Sequence, residues 1–489
     1  MELFRMELFI TELSKYAITL LMAFYAYESF AVFRYQEESL RGGIYARQNF
    51  LMLFIHFSCF MVICFETGDM SYLFFYAFQQ MVLFATAVLF HVIYPRANRL
   101  IINNMCMLLS IGFVILTRLS YEKAVKQFVI VAVSLAIAIV IPFFVHKLKF
   151  LKSLTWIYAL AGSAALLVVL VLGKATHGSK ISYSVAGVTF QPSEFVKIIF
   201  VFFIASALCE AADFYRVALT AAVAGIHVVI LVVSKDLGSA LIFFVVYVLM
   251  VFVATKEYRY LLAGIGGGAV SALAACLLFR HVQVRVQAWL DPWSEIDKGG
   301  YQITQSLFAI SSGGWFGLGL FEGTPQSIPF VEADFIFSAI AEEMGIAFAM
   351  CLILVCLSCF LMFMDISLKL NDRFYQLIAF GLGVTYIFQV FLTIGGGSKF
   401  IPLTGVTLPL ISYGGSSVLT TLVMFSIVEG LCMIRNDEEK EGQQTEKRQK
   451  RGSLKTKQAG SAEESNGMEN VQERRKRNPK GKGALGGKQ

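Results

Sequence analysis

Long apolar segments recur along almost the whole chain, and this feature restricts the possible folds most. About 20 consecutive apolar residues span the hydrocarbon core of a bilayer as an α-helix, and only helices or closed barrels satisfy every backbone hydrogen bond there. The sequence has about thirteen such segments, at residues 10–33, 49–67, 71–93, 100–119, 124–145, 153–173, 191–209, 215–234, 238–255, 259–279, 336–363, 374–395 and 407–434. This pattern predicts an all-α polytopic membrane protein.

Composition supports this class and excludes others. Hydrophobic residues make up 57% of the chain and charged residues 15%, with a mean hydropathy of +0.67. The net charge of +7 would suit a nucleic-acid-binding protein, but from Arg435 onward 15 Lys and Arg residues against 9 Asp and Glu residues account for +6 of it. The rest of the chain is almost neutral, so nucleic acid is not predicted as a partner. The cysteines and histidines show neither a disulfide framework nor the spacing of a metal site.

Basic residues between the segments indicate the orientation. They cluster in alternate loops, at 34–47, 96–99, 146–152, 256–259 and 369–373, and in the C-terminal tail. By the positive-inside rule these loops and the C-terminus are cytoplasmic, and the long loop 280–335 lies outside. One loop departs from the rule, because Arg118, Lys123 and Lys126 lie on the predicted outer face with only Glu122 beside them.

The chain divides into three parts. Residues 1–98 hold three N-terminal helices, residues 99–434 form a ten-helix body, and residues 435–489 form a charged tail with almost no large apolar side chain. Such a tail cannot bury enough surface to offset the entropy of ordering its backbone, so we expect it to be disordered.

The outer loop 280–335 is more than a linker. It contains tryptophans that favour the membrane interface, and glycines that allow sharp bends or close backbone approach. These residues are Trp289, Trp293, Trp315, Gly313, Gly314, Gly317 and Gly319. We expect a partly re-entrant loop lying over the bilayer; the alternative is a packed cap on the helix bundle.

The segment Ile328–Gly345, IPFVEADFIFSAIAEEMG, places the carboxylate of Asp334 where the polar loop enters an apolar helix. Desolvating an acid there is costly, which indicates chemistry. The other interpretation is an acidic helix N-cap, which would lower rather than raise its pKa. The segment alone leaves both open.

Three further motifs place polar residues where membrane helices rarely tolerate them. They are QPSEFVK at 191–197, DLGSA at 236–240 and KFIPLTGVTLPLISYGGSS at 399–417. Each could be capping or turn chemistry, but all lie at the same predicted membrane face, which suggests one shared cavity. The candidate binding and supporting residues are Gln191, Ser193, Glu194, Lys197, Asp236, Lys399, Ser412 and Ser416.

From about Arg99 to Ile434 the chain resembles the SEDS family of FtsW, RodA and SpoVE. The resemblance rests on these motifs, on WLDP followed by GYQITQS, and on ADFIFSAIAEEMG, all in matching order. It implies a ten-helix glycosyltransferase of the bacterial cytoplasmic membrane that polymerises lipid II into peptidoglycan during division, elongation or sporulation. It also implies a class B penicillin-binding protein as transpeptidase partner, and it places the family's catalytic aspartate at Asp334.

The required chemistry fits these residues. The 4-hydroxyl of one lipid-linked sugar attacks the anomeric carbon of a second, and Asp334 would act as general base with a raised pKa. Lys197, Lys399 or a divalent cation such as Mg²⁺ or Mn²⁺ are the alternatives for holding the leaving pyrophosphate. Glu194 would orient Lys197. The supporting set is completed by Glu342, Glu343, Gln302 and Gln305.

Two rival classes remain. A lipid II flippase would need polar groups at mid-membrane that are reached from both sides, whereas these motifs cluster at one face. A silent scaffold of the cell-wall machinery would have no need to desolvate Asp334, Glu194 and Lys197. The sequence therefore favours the enzyme.

Overall fold

The structure is a computed structural model that describes residues 2–444, except 36, 173, 177, 178, 186, 187, 211, 295, 297, 298 and 443. For residues 2–11, 38, 149, 172, 174–176, 179–185, 188 and 189 it describes the backbone but not the side chains. The predicted disordered tail lies, from residue 445 on, outside the described residues.

The described residues are mainly helical. Three helices precede the body: α1 (Glu2–Arg34), α2 (Glu38–Thr67) and α3 (Ser71–Ile93). The body then contains α4 (Arg99–Leu119), α5 (Tyr121–Ala138), α6 (Ile141–Lys147), α7 (Thr155–Leu172), α8 (Pro192–Leu208), α9 (Phe214–Val233), α10 (Leu237–Thr255), α11 (Tyr258–Leu278), α12 (Arg280–Leu290), α13 (Tyr301–Gly313), α14 (Ile336–Lys369), α15 (Arg373–Gly397) and α16 (Gly415–Gly442).

Each predicted membrane segment overlaps a helix, so the all-α membrane fold class is confirmed, but residues 407–414 of the last segment form a loop and turn before α16. In the described residues, 11 helical stretches are long and apolar enough to cross a membrane, one of them formed by α5 and α6 together. The helical hydrogen bonding is interrupted between α5 and α6, just before Pro142, because proline has no backbone N–H to donate. The remaining two predicted segments are the shorter helices α7 and α8.

A small antiparallel sheet joins α7 to α8, and the sequence analysis did not predict it. Its strands are β1 (Lys174–Thr176), β2 (Ser179–Val185) and β3 (Val188–Phe190), in the order β1-β2-β3. Strand β3 ends at Phe190, directly before the QPSEFVK motif that begins α8.

Helix α4 forms the centre of the bundle. Its residues from Leu100 to Thr117 are all buried, whereas α11 has no buried residue. The N-terminal helices contact α4 through buried polar groups: the Tyr25 hydroxyl donates to Asn104 Oδ1 (3.1 Å), and Asn103 Nδ2 donates to Gln48 Oε1 (3.2 Å). On its other side Asn104 Nδ2 donates to Ser358 Oγ of α14 (2.7 Å). These hydrogen bonds fix α1 to the centre of the body.

Helix α14 is interrupted at Gly345, whose φ is +87°. The glycine-rich turn after α13 pairs with the helix backbone there: Leu318 N donates to Glu342 O (2.9 Å) and Ile346 N donates to Gly314 O (2.9 Å). A Cβ at residue 345 would lie 2.3 Å from Gly317 N, so only glycine fits. The glycines of the outer loop therefore serve close backbone packing against α14.

The basic turn between α4 and α5, which the positive-inside rule did not explain, is neutralised locally. Arg118 pairs with Glu343 of α14 at 2.8 Å, and Lys126 pairs with Glu122 at 2.6 Å. Lys123 pairs with Glu332 of the outer loop. Each cation has a carboxylate partner, two of which are distant in the sequence.

Candidate active site

Asp334 lies at the end of the outer loop, two residues before α14. The N-cap of α14 is Phe335, without a side-chain cap, so the N-cap interpretation of Asp334 does not hold. The Asp334 side chain is half-buried. Burial raises the pKa of Asp334 to about 6; the Arg285 guanidinium opposes this shift and the Glu332 carboxylate adds to it. A carboxyl group with such a pKa can accept a proton near neutral pH.

The backbone before Asp334 is held by the turn that precedes α16. Ser412 Oγ donates to the Ala333 carbonyl (2.6 Å), and Tyr413 N donates to the Glu332 carbonyl (2.7 Å). Ser412 Oγ also accepts from Leu408 N (2.9 Å), which orients the hydroxyl. The LPLISYGG and EADF segments therefore form one unit, although about eighty positions separate them.

Arg285 on α12 faces Asp334, and the sequence analysis missed it. Its Nη1 donates to the carbonyls of Leu403 (3.1 Å) and Thr404 (3.0 Å). A Cβ built on Gly405, whose φ is +76°, would lie 3.6 Å from Asp334 Oδ2 and 3.8 Å from Arg285 Nη2. Gly405 thus lies between acid and cation. Its missing side chain leaves room beside both groups.

The pKa of Arg285 is lowered by burial, and its two acidic neighbours, Asp334 and Asp236, oppose that shift. The Thr404 hydroxyl beside it is buried and has no hydrogen-bond partner among the described residues. An unsatisfied buried hydroxyl next to a charged group is a candidate ligand contact. One sequence signal could have identified Arg285: it is a basic residue four positions before the start of WLDP at Trp289.

Asp236 joins two of the predicted motifs. Its Oδ2 accepts from Ser193 Oγ (2.9 Å) and from Gln191 Nε2 (3.2 Å). The backbone N of Gln191 donates to Ser416 Oγ (2.9 Å), which adds the YGGSS motif. Because Asp236 also acts on Arg285, this cluster continues towards Asp334. The structure thus brings together three segments that the sequence analysis singled out.

Lys197 is buried inside the bundle. Its Nζ donates to Glu194 Oε2 (2.9 Å) and to Gln389 Oε1 of α15 (2.7 Å). Gln389 Nε2 in turn donates to the Thr407 carbonyl (3.0 Å). The predicted pairing of Glu194 with Lys197 is present, and through Gln389 the pair supports the loop that carries Gly405.

The other candidates lie apart from Asp334. Glu343 is in the ion pair with Arg118, and Glu342 Oε1 accepts from Thr324 N (2.9 Å). Gln302 and Gln305 are half-buried on α13, and the Lys399 carbonyl accepts from the Trp289 indole (3.1 Å). Within the described part of the chain no hydrogen bond joins any of these to Asp334. Their positions fit support of the loop and of α14.

The described residues around Asp334 do not by themselves form a divalent-cation site. Among the described residues, no group of three or more His, Cys, Asp and Glu side chains could hold a metal ion. Asp334 and Asp236 both act electrostatically on the Arg285 guanidinium, so a cation already lies near these two carboxylates.

Residues 98–437 match the family model of the cell cycle proteins FtsW, RodA and SpoVE. The chain belongs to the FtsW/RodA/SpoVE family. This membership confirms the family predicted from the motifs. The matched residues exclude α1, α2 and α3, so these helices are additional to the part that defines an FtsW/RodA/SpoVE protein.

Named relatives of this FtsW/RodA/SpoVE protein agree in their activity. Peptidoglycan glycosyltransferase RodA of Mycobacterium tuberculosis is 31% identical over 68% of this chain and 77% of its own length. The probable peptidoglycan glycosyltransferase FtsW of Aliivibrio salmonicida is 32% identical over 67% of this chain and 85% of its own length. Both relatives are named as peptidoglycan glycosyltransferases, which confirms the predicted enzyme class.

Solved structures support the same fold. One chain of a peptidoglycan synthase complex that coordinates polymerization and crosslinking matches with a TM-score of 0.60 at 26% identity, covering 69% of this chain and 98% of that chain. A variant of the rod shape determining protein RodA of Thermus thermophilus matches with a TM-score of 0.54 at 25% identity, and the match covers 69% of this chain and 98% of the RodA chain.

Proposed function

We propose that this protein is a peptidoglycan glycosyltransferase that polymerises lipid II, with Asp334 as general base. The observation that carries the assignment of the base is the environment of Asp334. Its carboxyl group has a pKa raised to about 6, a backbone held by Ser412, and the side-chain-free Gly405 next to it and to Arg285. A pKa near neutrality suits a base that works at physiological pH.

In the reaction, the 4-hydroxyl of one lipid-linked sugar attacks the anomeric carbon of a second sugar. Asp334 takes the hydroxyl proton as the new carbon–oxygen bond forms. The bond from the anomeric carbon to the pyrophosphate breaks on the opposite side, and the electron pair leaves with the pyrophosphate. The configuration at that carbon inverts, and the chain grows by one unit.

Arg285 is the better candidate to hold the leaving pyrophosphate. Its guanidinium faces Asp334 and is held in place by two backbone carbonyls. A guanidinium presents several donors in a fixed plane that suits phosphate oxygens. Lys197, the sequence-based candidate, is enclosed by Glu194 and Gln389 and would act by positioning the loop.

The proposed orientation follows from charge. Asp334, Asp236 and the α4–α5 turn lie on one face of the bundle, which we call the site face. The basic loops 34–47, 96–99, 146–152, 256–259 and 369–373 lie at the opposite ends of the helices, so the site face would be outside and the C-terminus cytoplasmic. On that outer surface, a class B penicillin-binding protein would crosslink the strands that this protein makes.

Flipping lipid II is the rival function. A flippase needs a polar path through the membrane that opens to each side in turn. The described polar groups around Asp334 instead gather at the site face, and the buried polar groups around Asn104 are paired with one another. These observations favour the enzyme over the transporter.

Asp334→Asn in a polymerisation assay with purified lipid II tests this function, because the change keeps the size of the side chain and removes the base. We expect glycan synthesis to fall at least about a hundredfold, as for the loss of a general base. Glu322→Gln is the matched control, since Glu322 is an exposed acid in the same loop. Substantial synthesis by Asp334→Asn would contradict the role of the base.

A further inference from the structure

A cavity of about 210 Å³ lies beside the Asp334 segment, between the α4–α5 turn and the outer loop. Its lining includes Leu116, Leu119, Lys123, Gln326, Phe330 and Glu332. The cavity is smaller than a typical drug-sized pocket, so it suits one substituent of a ligand rather than a whole ligand.

The cavity carries a cation at its rim. Lys123 pairs with Glu332 across the cavity, and its side chain is 42% exposed. An ammonium group has three N–H donors, and Glu332 accepts from one of them. Lys123 therefore remains able to bind an anion that enters the cavity.

The same loop segment lines the cavity and carries the proposed base. Glu332 lines the cavity two residues before Asp334, and its carbonyl is held by Tyr413 N (2.7 Å). Phe330, also in the lining, has a φ of +60°, a conformation that bulky residues rarely adopt. A group bound here would thus be fixed close to the base by a short, restrained segment.

The α4–α5 turn is basic, and its ion pairs neutralise these cations without removing all of them from the surface. Basic residues are depleted on the outer side of membrane proteins, and the site face is the proposed outer side. Of the cations on the turn, Arg118 is fully engaged with Glu343 inside the bundle, whereas Lys123 and Lys126 reach the surface. Only Lys123 of these two lines the cavity.

We propose that this cavity binds an anionic group of the lipid-linked sugar substrate and that Lys123 is the cation that contacts this group. This proposal rests on the proposed function. Arg285 is the candidate for the leaving pyrophosphate of one sugar, and the sugar that supplies the 4-hydroxyl offers two further anionic groups: the diphosphate that links it to lipid, and the carboxylates of its peptide. Either one places a charged substituent next to Lys123 while the sugar lies near Asp334.

Binding to the inactive Asp334→Asn protein provides the test, because it does not depend on turnover. The probes are a short-chain lipid II, the same compound with amidated peptide carboxylates, and the prenyl diphosphate alone. In that background we expect Lys123→Gln to weaken binding of short-chain lipid II about tenfold, as for the loss of a charge-assisted hydrogen bond. Loss with all three probes assigns the diphosphate, and loss confined to the carboxylate-bearing probe assigns the peptide.

Two controls separate binding from structure. Lys126→Gln removes a neighbouring cation that does not line the cavity, and its affinity should stay within about twofold of the parent. Glu332→Gln breaks the same ion pair but keeps Lys123, so its affinity should be unchanged or higher. Unchanged affinity in Lys123→Gln, or equal loss in Lys123→Gln and Glu332→Gln, would overturn the proposal. Activity of Asp334→Asn would instead contradict the proposed base and leave this binding result interpretable.

Discussion

The Ser412 hydroxyl donates a 2.6 Å hydrogen bond to the carbonyl oxygen of Ala333, the residue directly before Asp334. This bond joins the turn before α16 to the end of the outer loop. Ser412 is itself oriented by Leu408 N, so the hydroxyl has little freedom to point elsewhere. The position of the proposed base is therefore set by a residue that does not touch substrate in the proposed reaction.

Ser412→Ala should lower kcat more than it raises KM. Without the hydroxyl the Ala333 carbonyl loses its partner and Asp334 shifts, and a misplaced catalytic group costs about 10- to 100-fold in rate. Steady-state kinetics on purified lipid II measure the effect. Ser398→Ala is the control, because Ser398 is exposed and its hydroxyl bonds only within its own helix end. An equal loss in both variants would contradict a specific positioning role.

The pH profile should show an acid limb near pH 6. The carboxylate form of Asp334 is the base, so activity is lost as the pH falls through its pKa of about 6 and is full above it. Glu332→Gln removes a like charge, lowers the pKa of Asp334 and moves this limb to lower pH. Glu122→Gln, which changes an exposed acid on α5, should leave the limb in place. A limb that moves upward in Glu332→Gln would contradict the assignment.

Glu343→Gln should destabilise the protein strongly. Glu343 and Arg118 are 1% and 8% exposed, and their ion pair of 2.8 Å connects α14 to α4. Breaking a buried pair leaves one charge uncompensated and costs about 3–5 kcal/mol. Thermal unfolding in detergent should show a clear drop in Tm. Arg259→Gln breaks the exposed pair with Glu257 and should change the Tm little; equal shifts in the two variants would count against the prediction.

Asn104→Leu should loosen the N-terminal helices. It removes hydrogen bonds to Tyr25, Ser29 and Ser358 that connect α1, α4 and α14. Hydrogen bonds between membrane helices contribute about 0.5–1.5 kcal/mol each. Hydrogen exchange in α1 should rise, with exchange in α10 as the internal reference. Unchanged protection of α1 would show that apolar packing alone holds it.

Much of this protein could be read from its residues. Each predicted apolar segment contains a helix, since the length and polarity of a run are local properties. The family followed from motifs whose order needs no folded structure. The pairing of Glu194 with Lys197 was predictable too, because residues three apart on a helix are neighbours.

The surroundings of Asp334 were decided by tertiary structure. Arg285, Gly405 and Ser412 come from distant parts of the chain, and only the packing of the outer loop on the last helices brings them together. The same packing pairs Lys123 with Glu332 and so explains a basic turn that loop counting could not. The physical reason is that a pKa, an ion pair or a close backbone approach depends on which groups are excluded from water together, and a linear sequence records spacing along the chain but not that shared burial.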